Sequence, residues 1–567
     1  MATGIESFAQ VPRIAYFSME IGLRSEIPTY SGGLGVLAGD TLRSAADLAI
    51  PLVGVTLISR KGYFRQVLDE SGMQTEMADV WEPSDWARPL PAKIAVPIEQ
   101  RDVWVQAWLY ILTGGSGYEI PVLLLDTDLP ENTLQDRRIT DQLYGDGAEY
   151  RLSQEIVLGI GGARILQALG FQIHTYHMNE GHSALLALEL LRRGEHRPDR
   201  KDPCGEIYDV AEVRDQCLFT THTPVEAGHD QFEYPLVDRL LARFMDLREL
   251  RRLAGNQRLN MTRLALRLSG YVNGVAKTHA KVSQEMFPEY HVHAITNGVH
   301  PATWTAEPMR RVFDEYIPNW RFEPDMLVRA DQIPPAEIWT AHLAARGLLF
   351  KTVRELTGEV LDPDALTLGF ARRMTAYKRP DLLFSDIERL RAIAARWPLQ
   401  IVMAGKAHPQ DVAGKALIRR LFETKKALFP AVHTVFLPDY NMHMGHLLTS
   451  GVDVWLNTPL RPLEASGTSG MKAALNAVPN LSVLDGWWME GCIEGVTGWA
   501  VGQLSTVEAN GEDGRALYSV LEDAVLPLYH RDRAGWLRVM QGAITKNACY
   551  FNSHRMMRRY ATAAYIR

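Results

Sequence analysis

The feature that most constrains this chain is an alternation of two periods. Short apolar runs of strand length alternate with helical patterns along most of the sequence. Strands separated by helices pair in parallel, because each helix carries the chain back over the sheet face. In the first half, Ile14–Phe17 reads as a strand, followed by a glycine-rich loop at Ser31–Gly35, a helix over Val36–Ala49 and a strand at Leu52–Ile58. Gln172–Tyr176 reads as a strand feeding a loop and a helix at Ser183–Arg193, and Cys217–Thr220 as another strand. In the second half, Leu366–Phe370, Leu399–Ala404, His433–Leu437 and Val452–Leu456 are spaced as strands between helices. The pattern predicts an α/β chain of two Rossmann-like parallel-sheet domains facing a cleft, with ligands at the carboxyl ends of the strands. The turn-rich stretch Thr296–Pro301 is the expected hinge. It divides a domain at 1–298 from one at 299–546, the second opening on a helical stretch from about 305 to 360. Residues 547–567 read as a basic amphipathic helix returning to the first domain.

Composition narrows the function classes. Apolar residues are 46% and charged residues 22% of the 567, which excludes a mainly disordered, collagenous or coiled-coil protein. Sixty basic against 67 acidic residues give −7, which disfavours nucleic acid as a partner. The four cysteines, Cys204, Cys217, Cys492 and Cys549, form no CxxC, so neither a disulfide framework nor a thiolate zinc site is expected. No apolar signal core and no run of 18 apolar residues occur, so the expectation is a cytoplasmic protein with no membrane partner.

The densest chemical feature is Glu464-Ala-Ser-Gly-Thr-Ser-Gly-Met-Lys472, just after a strand. Small residues running into a helix offer free backbone N–H groups to a phosphate. Lys472, about one turn in, is an amine able to condense with an aldehyde cofactor. A plain strand–helix turn with a surface lysine fits the residues equally well. A second cluster, Arg372, Arg373, Lys378 and Arg379, follows another strand. It reads as a basic helix face or as a clamp for two phosphates. Ser31-Gly-Gly-Leu-Gly35 contains a GxGxxA match, but no acidic residue follows about 20 positions on, so a dinucleotide site is not supported. Its bare amides still suit an anion. His177-Met-Asn-Glu-Gly-His182 lacks zincin spacing, and His443 and His446 have no further ligands, so no metal is expected.

These runs together resemble the α-glucan phosphorylases, the glycogen, starch and maltodextrin family, over nearly the whole chain. EASGTSGMK is similar to the family's EASGTGNMK, with Ser469-Gly470 in place of Gly-Asn. ARRMTAYKRP is similar to VKRIHEYKRQ, with Arg372 replacing a lysine and Ala376 a glutamate. HMNEGH, THTP, TNGVHPATW and the tail YFNSHRMMRRYA match further family segments in order. The resemblance implies the two-domain GT-B-type glycosyltransferase architecture, of a compact bacterial or archaeal type, and leaves a homodimer open. It implies pyridoxal 5'-phosphate on Lys472, with Thr468, the Ser469 backbone, Arg372 and Tyr377 around the cofactor. Arg373 and Lys378 fall where the family holds inorganic phosphate, and Gly32 and Gly33 where a loop covers it. Glu464, Ser466, Gly467, His222 and Asn297 fall on contacts to the glucosyl unit. Asn179, Glu180 and His182 fall on the cleft lining, Glu180 replacing an aspartate.

The implied reaction is phosphorolysis of 1,4-α-glucan to α-D-glucose 1-phosphate with retention, the cofactor phosphate relaying a proton. Ordinary retaining glycosidases use two carboxylates, and the matched motifs contain no obvious pair. The rival reading is a sugar-nucleotide-dependent α-glucosyltransferase of the same architecture, with Lys472 an ordinary residue. A third is a glucan-binding scaffold without catalysis.

Overall fold

The computed structural model describes residues 4–194, 208–225, 228–503 and 510–566. Cys204 lies outside them; Cys217 is buried, and Cys492 and Cys549 are half-buried free thiols. Two large sheets organise the chain. The first has nine strands in the order His293–Ala294, Tyr271–Gly274, Cys217–Thr220, Ile173–Asn179, Arg13–Ser18, Leu52–Leu57, Glu119–Asp126, Arg101–Thr113 and Arg88–Ile98. The second has six, in the order His433–Leu437, Leu399–Ala404, Leu366–Ala371, Val454–Asn457, Asn480–Val483 and Gly498–Val501, all parallel. The α/β expectation therefore holds, with one addition. Arg101–Thr113 is antiparallel to both of its neighbours, so the first sheet ends in an antiparallel edge. The cause is legible in burial. The parallel strands Arg13–Ser18 and Leu52–Leu57 are buried throughout, whereas Arg101–Thr113 largely alternates between inward and outward positions, as a strand covered on one face does.

Both sheets place a topological switch point where ligands are expected. Arg13–Ser18 lies between Leu52–Leu57 on one side and Ile173–Asn179 on the other, so the chain leaves it in one direction and returns on the opposite flank. Leu366–Ala371 lies in the same way between Leu399–Ala404 and Val454–Asn457. A crevice opens at the carboxyl ends of such strand pairs. Two boundaries differ from expectation in ways that matter for the site. The Ile173–Asn179 strand runs three residues beyond Tyr176, because its register with Arg13–Ser18 continues to Asn179 opposite Ser18. The helix of the first glycine loop begins at Gly33 and ends at Asp47. The stretch from 305 to 360 holds the helices Glu307–Tyr316 and Pro335–Thr357, with a 3-10 segment, Pro324–Gln332, between them.

The tail contributes the helix Ser553–Tyr560. Its Met556, Met557 and Tyr560 pack with Ile14, Tyr16 and Leu37 under the first sheet. It crosses the turn Thr296–Pro301 at Gly298, where a Cβ would stand 2.2 Å from the Asn552 backbone, so only glycine lets the two segments pass. Val299 donates to the Phe551 carbonyl and receives the Ser553 N–H (3.1 and 2.9 Å). Asp47, His300 and His554 converge at the same crossing, their ligand-type atoms within 4.8 Å of one another. His300 Nδ1 accepts the Thr303 N–H (3.1 Å), which places the ring proton on Nε2, aimed at Asp47 Oδ2 (2.9 Å). A metal between His300 and Asp47 would need a free lone pair on Nε2, which this proton takes, so the triad reads as a hydrogen-bonded pin. Burial raises the Asp47 pKa, but the hydrogen bond from His300 and the approach of His554 Nε2 to 3.4 Å outweigh it and hold the carboxyl well below its usual range. No helix among the described residues is long and apolar enough to cross a membrane.

Candidate active site

The first switch point delivers the segments that follow Ser18 and Asn179. Glu20 lies two residues past its strand. Its carboxylate accepts the Ser31 N–H (2.5 Å), the Gly32 N–H (3.1 Å) and the hydroxyls of Ser31 (3.1 Å) and Tyr144 (2.8 Å). The Gly32 amide, expected to face an anion, is thus engaged by Glu20. Gly33 opens the helix with open space where a side chain would stand.

Asn179 ends its strand. Its Oδ1 accepts from His222 Nε2 (2.6 Å) and its Nδ2 donates to Ser18 Oγ (3.1 Å), a network that assigns the His222 proton to Nε2. Burial, helped by neighbouring histidines, pushes the His222 pKa down to about 3, so the ring is neutral at pH 7. Glu180 adopts a left-handed backbone (φ 72°). Its carboxylate accepts the N–H groups of Gly181 (3.0 Å) and His222 (2.7 Å) and the Thr223 hydroxyl (3.0 Å). Burial raises its pKa. Glu180 therefore clamps the turn that carries His222. His182 Nε2 lies 3.4 Å from Asp230 Oδ2, while its Nδ1 is buried without a hydrogen-bond partner.

The second switch point delivers the cations. Arg372 Nη2 (2.7 Å) and Lys378 Nζ (2.5 Å) both meet Glu464 Oε2. Burial pushes the Glu464 pKa up, but Arg372 and Lys378 outweigh it and keep the carboxylate charged. The Glu464 N–H donates to Asp485 Oδ2 (2.9 Å), and burial pushes the Asp485 carboxyl up to about 6. The Tyr377 ring faces Lys378 Nζ at 4.5 Å. Arg373 reaches across the cleft. Its Nη2 lies 3.4 Å from where a Gly32 Cβ would stand. Burial lowers its pKa, but Tyr63, Glu20, Tyr377 and Tyr144 raise it further, so the guanidinium is firmly charged. Arg379 points away, bonding the Thr458 and Pro459 carbonyls (2.8 Å each) and Asp513 (2.7 Å), so it supports the loop.

Lys472 sits on the seven-residue helix Ser469–Leu475, entered through Thr468 and the turn at Gly467 (φ 82°). Trp455 Nε1 donates to Ser469 Oγ (3.1 Å) and fixes the helix start. Lys472 Nζ stands 3.6 Å from the Trp304 ring centroid, and Trp304 Nε1 donates to Asp40 Oδ2 (2.7 Å) on the Gly33–Asp47 helix. Burial lowers the amine to about 8, against the pull of Asp40. That leaves part of it unprotonated near neutral pH, as an amine that attacks an aldehyde must be.

Several buried polar atoms around these groups have no hydrogen-bond partner: Arg372 Nη1, Thr375 Oγ1, Ser466 Oγ and Asn297 Oδ1. Each costs about 1–3 kcal/mol if left unpaired, so orphans gathered at a cleft point to ligand contacts. Asn297 itself is held by its backbone, donating to the Val275 carbonyl (3.0 Å) and receiving Arg555 Nη2 (2.9 Å).

The expected residues therefore fall into three groups: His222 with Asn179 and Glu180, the cations with Glu464, and Lys472. Four further residues belong with them. Glu20, Tyr144, Asp40 and Trp304 were not singled out for the site; of these only Trp304 lies in a matched run, TNGVHPATW, where Asn297 alone was assigned a role. Glu20 carried one signal, its place just past the carboxyl end of the first strand.

Comparison with known proteins matches residues 246–494 to the carbohydrate phosphorylase family model. Among curated relatives, the maltodextrin phosphorylase of Thermococcus litoralis is 39% identical over 97% of this chain and 70% of its own. The glycogen phosphorylase of Aquifex aeolicus is 35% identical over 97% of this chain and 86% of its own. That of Mycobacterium tuberculosis is 36% identical over 99% and 72% respectively.

Proposed function

The chain belongs to the carbohydrate phosphorylase family, and on that premise we propose that it cleaves 1,4-α-glucans with inorganic phosphate. The product is α-D-glucose 1-phosphate, released from the non-reducing end with retained configuration. The observation that carries this reading is the buried, partly neutral Lys472 amine beside a cluster of cations with an unpaired Arg372 Nη1. Those residues fit pyridoxal phosphate: Lys472 for the aldehyde, with Thr468, Ser469, Arg372 and Tyr377 around the rest. Bound there, the cofactor supplies a phosphate group that exchanges a proton with the substrate phosphate.

The chain's own residues do the remaining work. Arg373 and Lys378 bind inorganic phosphate, and the exposed Gly33 adds the start of a helix to the clamp. Lys378 is already beside Glu464, so phosphate and carboxylate share its charge. Glu464, Ser466, Gly467 and Asn297 take glucosyl hydroxyls. His222, kept neutral by burial, adds a hydrogen bond without a positive charge next to the developing oxocarbenium ion. Asn179 and Glu180 hold that ring in place, and His182 braces the same wall. The glycosidic C1–O bond breaks as the phosphate gives its proton to the leaving oxygen, and a phosphate oxygen then bonds C1 on the same face.

Incubation with a maltodextrin and phosphate, followed by assay for glucose 1-phosphate, tests the reading. Phosphate-dependent release is expected. Consumption of a sugar nucleotide with no phosphorolysis would overturn it.

A further inference from the structure

A groove of about 650 Å³ on the first domain is lined by Arg248, Arg251, Arg252, Arg263, Arg267 and Tyr290, with Glu289 the one acidic member of its lining. The whole chain carries −7, so this concentration of guanidinium groups is local. Two helices supply it, Leu247–Ala254 and Met261–Arg267, joined through Gly255 at φ 110°. Arg248 and Arg252 are four residues apart, as are Arg263 and Arg267, so each pair shares a helix face. Like charges in that register destabilise a helix by a few tenths of a kcal/mol.

Ordinary explanations leave part of the pattern standing. Cations in a last helical turn complement the helix dipole, which accounts for Arg251, Arg252 and Arg267. Arg248 and Arg263 sit in first turns, where a cation is disfavoured. Internal partners are also few. Arg252 meets Glu249 (2.9 Å), and Arg251 donates to the Asn256 carbonyl (2.7 Å) and lies over Tyr234 (4.0 Å). Arg248, 91% exposed, reaches Asp246 only at 3.5 Å. Arg263 and Arg267 form no side-chain ion pair among the described residues.

We propose that this groove binds a small anion carrying two or more phosphoryl groups. Guanidinium forks bind phosphate oxygens in pairs, and several forks around one groove select for more than one phosphate. The volume falls in the range of small-molecule sites and suits a nucleoside diphosphate, a sugar bisphosphate or pyrophosphate. A long polyanion is disfavoured, because the rest of the surface is net negative. The helix that carries Arg263 and Arg267 begins against the cleft wall. Met261 donates to the Asp230 carbonyl (3.1 Å), and a Cβ on Gly181 would touch Met261 and Thr262 at 3.3 Å. An anion held by Arg263 and Arg267 therefore sits on the same helix that backs Gly181.

The test is calorimetric titration of the cofactor-loaded chain with pyrophosphate, a nucleoside diphosphate and a hexose bisphosphate at physiological salt. Saturable binding at a site beyond the cleft is expected, weakened about tenfold or more in R263A/R267A and in the exposed charge reversal R248E, and kept in R373A, which removes only a cleft component. Tighter binding of an organic ester than of pyrophosphate would place its organic part on Tyr290. Equal binding would mean that the phosphates alone are read. Absence of saturable binding would overturn the proposal. So would binding lost in R373A but kept in R263A/R267A, which would put the anion in the cleft.

Discussion

On the first sheet's side, the cleft carries carboxylates and neutral imidazoles. Glu20 and Glu180 are tied to backbone N–H groups, and His182 and His222 are pushed down to about 3. On the second sheet's side it carries cations, Arg372, Arg373, Lys378 and Lys472, with Glu464 charged among them. The first side is a hydrogen-bonded scaffold whose imidazoles, His182 and His222, stay neutral at pH 7. The second concentrates positive charge, with Glu464 the carboxylate that pairs directly with Arg372 and Lys378. The difference teaches a division of labour. A wall of hydrogen-bonded donors and acceptors held in place suits sugar hydroxyls, and a cluster of cations suits two phosphates brought together against their repulsion.

Substitutions that hit one side should separate the two roles. Lys472→Ala is expected to have the largest effect, with a folded protein, no retained pyridoxal phosphate and phosphorolysis lowered by at least about a thousandfold. Activity near the parent's would refute the cofactor assignment. Arg373→Ala comes next, lowering kcat/KM for phosphate by about a hundredfold or more while leaving glucan binding intact. A steady-state series in phosphate at fixed glucan reads it. His222→Ala should do the reverse on a smaller scale, losing about ten- to a hundredfold in kcat/KM for glucan with little change in phosphate KM. If both variants moved phosphate and glucan parameters alike, the division of labour would be wrong.

The two sides should also differ in how pH acts on stability. His177, His182 and His222 protonate near 3 in the folded chain and near 6.5 when unfolded. Unfolding in that window takes up protons, so stability is lost as pH falls from about 6.5 toward 3. Lys472 shifts from 10.5 to about 8 on folding, so before the cofactor is attached its penalty is relieved as pH rises through 8 toward 10.5. Urea midpoints at pH 7 and 5 should fall with acid, and exchange protection should drop first around the Ile173–Asn179 and Cys217–Thr220 strands. Equal loss of protection in the second sheet would contradict the asymmetry.

Much of this was legible because it is local. The segment Glu464–Lys472 and the cations 372–379 are contiguous runs, and each follows a strand that the alternation of periods had already located. Parallel strands such as Leu52–Leu57 and Leu366–Ala371 were visible for the same reason, being mostly apolar, whereas Tyr271–Gly274, Asn480–Val483 and Gly498–Val501 were not picked out. The antiparallel edge was not, because Arg101–Thr113 alternates and the parallel pattern does not reach it. Glu20, Tyr144, Asp40 and Trp304 were missed for a different reason. Their roles arise from contacts across long stretches of chain, such as Tyr144 with Glu20 and Trp304 with Asp40, and spacing carries no trace of such pairs. The engagement of the Gly32 amide by Glu20 was hidden in the same way.

The central claim is that Lys472 anchors pyridoxal phosphate in a cleft built to hold a second phosphate. The most direct measurement is the pyridoxal content of the purified chain, fixed by borohydride reduction and located by peptide mapping. The account predicts about one cofactor per chain, on the peptide containing Lys472. No incorporation after added pyridoxal phosphate, or attachment at another lysine, would contradict it.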